Sequence, residues 1–175
     1  LPRIIGAVLV GSALSLSGAA YQGVFKNPLV APDLLGVSSG ACVGASVAIL
    51  LHLNSFGVQA MAFVAGILAV GLTLFIPRLI KNTNMTMLVL SGIIVKGIMD
   101  SVMGIIKYVA DPETELQSIT YWQLGSLTKV LPKDLFTVGP VIVAASVIIF
   151  LLRWRINILS LGDREAKTLG VSVTI

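Results

Sequence analysis

The chain has 175 residues, of which 56% are hydrophobic and only 11% charged, against about 25% charged in an ordinary soluble domain. A water-facing surface cannot be built from that inventory, so a soluble globular fold gives way to an all-helical, polytopic membrane protein. The formal net charge of +4 does not point to nucleic acid, because the cations sit between apolar blocks, where they set membrane orientation.

Residues 4–25 carry no charge. Roughly 20 helical residues rising about 1.5 Å each cross a hydrocarbon core of about 30 Å, so this block reads as the first span. Gly11, Ser15, Gly18 and Ala19 along it suit close helix contact. The helix breaks at Lys26-Asn27-Pro28 and the chain turns through Ala31-Pro32-Asp33. Asn27 is suited to satisfy backbone groups freed where Pro28 stops the helix.

Residues 34–51 are expected to form a second span, with Asp33 capping its start after Pro32. Gly36, Gly40 and Gly44 lie four apart, a small-residue stripe that lets another backbone approach closely in lipid. His52, Asn54 and Ser55 end the block, and His52 reads as an interfacial residue.

Residues 57–76 form a third span closed by Pro77, Arg78, Lys81 and Asn82, and residues 85–109 a fourth that contains Lys96 and Asp100. Residues 111–133 are polar, with Tyr121 and Trp122 among the charges. They read as a short helix on the extracytoplasmic surface with its aromatics at headgroup level. Residues 135–152 form the fifth span, ended by Arg153, Trp154 and Arg155, and residues 160–171 are a polar, helix-like tail. With the Lys26 turn inside, Lys26, Arg78, Lys81, Arg153, Arg155, Arg164 and Lys167 are cytoplasmic, whereas Arg3, Lys107, Lys129 and Lys133 are outside. The excess of cations on the inner side favours that orientation.

Lys96 and Asp100 stand out. Each charge near the centre of a spanning helix costs about 2.5–3.5 kcal/mol, and such residues mark functional sites by default. Four apart, they share a helix face and can neutralise each other. One reading puts them on a translocation pathway, the other makes them a structural ion pair against a neighbouring helix. The lone Cys42 offers no disulfide, and with the single His52 it makes no metal site. No phosphate-binding loop, zinc-protease motif or serine-hydrolase elbow is present, so no catalytic residue and no cofactor is assigned. No signal peptide is expected within this run, and the opening Leu1-Pro2-Arg3 reads as the start of a fragment.

The run from Ser17 to Gly44 carries a family pattern: a small-residue helix, Gln22, Asn27-Pro28-Leu29, Pro32, Leu35-Gly36 and Gly40-Ala41. The tail carries another: Leu159-Ser160-Leu161-Gly162-Asp163, then Ala166, then Leu169-Gly170-Val171. Both resemble the permease subunits of FecCD/BtuC-like ABC importers for iron-siderophores, haem or vitamin B12. In that family Glu is common at the Asp163 position, a departure that keeps the charge.

The resemblance implies about ten helices in the intact subunit, of which this chain covers about five. It implies that Leu161, Gly162, Asp163, Arg164, Ala166, Leu169 and Gly170 form a cytoplasmic coupling helix seated in an ATPase subunit. The physical alternative is an amphipathic helix resting on lipid headgroups. It further implies that Arg3 docks an extracytoplasmic substrate-binding protein, where the alternative is an arginine snorkelling to headgroups. A second permease subunit, homologous or identical, is expected to enclose the pathway for a metal chelate. Gly18, Gln22, Asn27, Pro28, Pro32, Gly36, Gly40 and Gly44 are assigned to the helix turn and to packing. A different class of function, an ion-coupled secondary transporter using Lys96 and Asp100, stands beside this reading.

Overall fold

A computed structural model describes residues 2–28, 30–82 and 84–161, without the side chains of Lys129 and Leu161. Its helices are α1 (Pro2–Phe25), α2 (Val37–Leu50), α3 (Ser55–Leu79), α4 (Met85–Val109), α5 (Glu115–Leu124), α6 (Pro132–Leu151) and α7 (Arg153–Leu161), with 3-10 turns at Pro32–Leu35 and Leu127–Lys129. Among the described residues there is no strand. Among the described residues, four helices, α1, α3, α4 and α6, are long and apolar enough to cross a membrane.

The expected second span is corrected here. Residues 34–51 are not one helix: a 3-10 turn leads to Gly36, which caps α2 with a left-handed backbone (φ 74°, ψ 17°). The 14 residues of α2 reach only about 21 Å at 1.5 Å each, short of the roughly 30 Å core. A left-handed residue cannot continue a right-handed helix, and glycine takes that conformation without a Cβ clash. The third block also runs further than expected. The helix passes through Pro77, which is buried, to Leu79.

The chain divides into two compact units, Asp33–Gly125 and the flanking Leu1–Pro32 with Ser126–Ile175. In the Asp33–Gly125 unit, α2 lies along α3. A Cβ on Gly40 would come 2.5 Å from Ala69 Cβ, and one on Gly44 would overlap the Met61 carbonyl oxygen. Ala45 and Ala48 are fully buried with Ala62 and Val58. The other face of α2 packs Val43 and Val47 against Met103, Ile106 and Ala110 at the end of α4, where Ile119 anchors α5. Ser46 Oγ donates to the Cys42 carbonyl at 2.8 Å, keeping a buried hydroxyl satisfied.

In the other unit, α1 packs on α6 and α7 through side chains. Gly6 meets Val130 and Leu135, Gly139 meets Leu9, and Gly23 meets Ile156. The start of α6 is closed by the Asp134 carboxylate, which accepts the Leu131 N–H at 3.0 Å.

Three helices end alike. Lys26, His52 and Lys81 follow α1, α2 and α3 with φ of 51°, 51° and 54°. The next amide donates back five residues each time: Asn27 to Gln22, Leu53 to Ala48, and Asn82 to Pro77, at 3.0–3.2 Å. This satisfies carbonyls left open at a helix end, at a position where glycine is usual.

Candidate functional site: a charge cluster at mid-helix

The interest lies where the 3-10 turn meets the middle of α4. Gly92 accommodates the Leu34 carbonyl oxygen, which a Cβ at that position would overlap. Thr73 Oγ1 of α3, fully buried, donates to the Leu35 carbonyl at 3.0 Å. Gly36 then sits against Val95 and the Lys96 backbone. These contacts set the start of α2 level with the middle of the 25-residue α4.

Lys96 Nζ pairs with Asp33 Oδ2 at 3.3 Å, their side chains 49% and 40% exposed. The other Asp33 oxygen accepts the Ser38 N–H at 3.3 Å. One carboxylate therefore caps the entry to α2 and holds a lysine on α4. The expectation that Asp33 caps this helix takes a different form, since Gly36 is the N-cap residue.

The Lys96–Asp100 pair is corrected. Lys96 engages Asp33, and Asp100, exposed one turn further along, has no ion pair with any described residue. Helical side chains lean toward the helix N-terminus, so Lys96 reaches back toward Gly92 and the 3-10 turn. The order Lys then acid at i, i+4 is also the weaker one. Sequence spacing alone missed Asp33 as the partner and Gly92 as the close-contact glycine. The clue was the acidic residue in a turn otherwise built from Pro, Leu and Gly.

The other singled-out residues lie as follows. Arg3 is exposed on the first turn of α1. A Cβ on Gly18 would lie 3.8 Å from Pro32, an ordinary contact. Gln22 is exposed, and its carbonyl takes the Asn27 amide. Asn27 and Pro28 are exposed in the turn, where the Asn27 carbonyl accepts the Val30 amide at 3.3 Å. Pro32 opens the 3-10 turn. Leu161 ends α7, while Gly162, Asp163, Arg164, Ala166, Leu169 and Gly170 lie outside the described residues.

His52 Nε2 lies 3.4 Å from Glu115 Oε1, which ties the end of α2 to the start of α5. Tyr121 is 63% and Trp122 38% exposed. Among the described residues, no group of three or more His, Cys, Asp or Glu is placed to hold a metal ion.

The chain is similar to known proteins along its whole length. The model of the FecCD transport family matches residues 1–175. The molybdate import system permease protein MolB of Haemophilus influenzae is 36% identical over 174 residues, 99% of this chain and 51% of the relative. A probable iron chelatin transport system permease protein of Helicobacter pylori is 40% identical over 172 residues, 98% of this chain and 52% of the relative. The chain thus spans about half the length of the curated relatives it matches. A solved structure described as an inward-facing conformation of a putative metal-chelate type ABC transporter superposes with a TM-score of 0.89 at 35% identity. The match covers 98% of this chain and 55% of that one.

Proposed function

Because the chain belongs to the FecCD transport family, we propose that it forms part of the permease subunit of an ATP-driven importer. In this reading the membrane helices enclose a pathway with a second permease subunit. A binding protein delivers substrate from outside, and two ATPase subunits drive alternating access from the cytoplasm. The chain performs no chemistry of its own, and ATP hydrolysis belongs to the separate ATPase. The substrate is a metal-centred compound, an iron-siderophore, haem or cobalamin. The relative named for molybdate extends the set to an oxyanion.

The observation that carries the reading is the family match over all 175 residues. The charge cluster supports it, because ionisable groups at mid-span belong on a protein-lined or water-filled face and not against lipid. Lys96 and Asp100 are therefore assigned to the pathway, Arg3 to binding-protein docking, and residues 161–170 to ATPase coupling. Gly18, Gln22, Asn27, Pro28, Pro32, Gly36, Gly40 and Gly44 serve the turn and the packing around it. The ion-coupled carrier is not favoured, since the family match and the import-system permeases among the relatives support the binding-protein-dependent importer.

The test is a cysteine crosslink. Ala166→Cys in a full-length, Cys42-free subunit is combined with a cysteine in the receiving groove of the ATPase encoded beside it. A crosslink that changes with ATP is expected. None at residue 166 or its neighbours, with both proteins in the membrane, would defeat the proposal. Separately, Arg3→Glu is expected to weaken docking of the binding protein, and unchanged affinity at low and high salt would remove that assignment.

A further inference from the structure

We propose that Lys96 is a two-position cation, paired with Asp33 in the state seen here and with Asp100 in the opposite state of the transport cycle. The inference rests on the permease reading and deepens it by assigning Asp33, a residue outside the expected site, to the same device.

Three features on α4 and the 3-10 turn carry it. First, Lys96 stands near the middle of a 25-residue spanning helix, where a bare charge is costly. It must keep a partner in whichever state the protein adopts. Second, two carboxylates lie within its range on opposite sides. Asp33 Oδ2 is 3.3 Å away on the turn, and Asp100 is one helical turn further along α4, at the i+4 spacing that allows pairing.

Third, the two carboxylates are held differently. Leu34 and Leu35, next to Asp33, are pinned by Gly92 and by the Thr73 hydrogen bond. Asp33 Oδ1 also keeps the Ser38 amide. Asp33 can therefore release Lys96 without losing its place, because its carboxylate retains a donor. Asp100 has no ion pair among the described residues and is exposed, so it is ready to receive the ammonium. Lys96 and Asp33 are each about half exposed, which leaves the lysine room to swing. The exchange needs only side-chain rotation, and it links the entry to α2 with the second half of α4. A discrete pair of partners of this kind is what a two-state element requires.

Charge reversal separates a switch from a fixed latch. Full-length permease, assembled with its ATPase and binding protein in vesicles, is offered ferric siderophore chelate, haemin, cobalamin and molybdate in turn, with and without ATP. Asp33→Lys with Lys96→Asp rebuilds the ion pair seen here, without the Ser38 contact, but sets residue 96 against Asp100. Adding Asp100→Lys restores both alternatives. Wild type is expected to take up one probe with ATP. The double variant should lose that uptake about fivefold or more, and the triple variant should recover most of it.

Full uptake by the double variant would mean that a fixed pair suffices and would overturn the switch. So would a triple variant as inactive as the double. Should the reversals fail to assemble, Asp100→Asn decides alone. It leaves the Asp33 pair intact, and it must still lose uptake about fivefold at normal subunit assembly, or the switch is wrong. Wild type that moves none of the four probes with ATP would sink the permease reading itself, and the switch with it.

Discussion

The two units use the same small residue to opposite ends. In Asp33–Gly125, glycines are places where one backbone touches another: Gly40 and Gly44 against α3, and Gly92 against the 3-10 turn. In the flanking unit, a Cβ on Gly6, Gly18, Gly23 or Gly139 would have a side chain as its nearest neighbour, at 3.2–3.8 Å. Lipid tails are as apolar as leucine, so helices in a membrane gain little by burying apolar area. They associate through close packing and interhelical hydrogen bonds. The unit that carries the charge cluster is the one that takes this to its limit, which fixes the backbone of the 3-10 turn and of α4 around the Lys96–Asp33 pair.

That contrast can be broken at its strongest point. Gly92→Val drives a branched side chain into the Leu34 carbonyl and is expected to destabilise by about 3 kcal/mol. The readout is the thermal transition of the detergent-solubilised full-length protein, followed by maleimide labelling of Cys42. A transition within a degree of wild type would refute the close approach.

Gly44→Ala comes next. Its methyl meets the Met61 carbonyl, a backbone atom that cannot rotate aside, and about 2 kcal/mol is expected on the same assay. Thr73→Val keeps the shape but strips the donor from the Leu35 carbonyl, with an expected loss of about 1 kcal/mol.

The flanking unit should answer with the other sign. Gly18→Ala adds a methyl at 3.8 Å from Pro32 and removes a flexible helix residue, so it is expected to gain about 0.5 kcal/mol. A loss as large as that of Gly44→Ala would erase the distinction between the units.

Smallest of all is Lys26→Gly. It relieves a non-glycine residue at φ 51°, worth about 1 kcal/mol. The gain is largely offset by the greater freedom of glycine in the unfolded chain, about 0.4–1 kcal/mol. A midpoint shift of under about 2 °C is expected.

By itself the sequence determined the membrane class, the all-helical architecture and the family. Each of these is written in local composition or in a linear motif: long uncharged blocks, cations between them, and the Asn27-Pro28 and Leu35-Gly36 run. Hydropathy adds up along the chain and needs no knowledge of neighbours. Tertiary structure decided what depends on which backbone comes near which. The apolar block 34–51 looked continuous, yet Gly36 turns left-handed within it and α2 begins level with mid-α4.

The stripe Gly36, Gly40, Gly44 looked like one packing surface, yet its first member is a helix cap. Gly92, which has no stripe, makes a close backbone approach. Lys96 had an acid four residues ahead in sequence, but its partner is 63 residues back. Spacing along one helix records only the candidates on that helix. A lysine at mid-span takes the carboxylate that the fold brings to the N-terminal side of its own turn, and only the packing of the 3-10 turn on Gly92 brings Asp33 there.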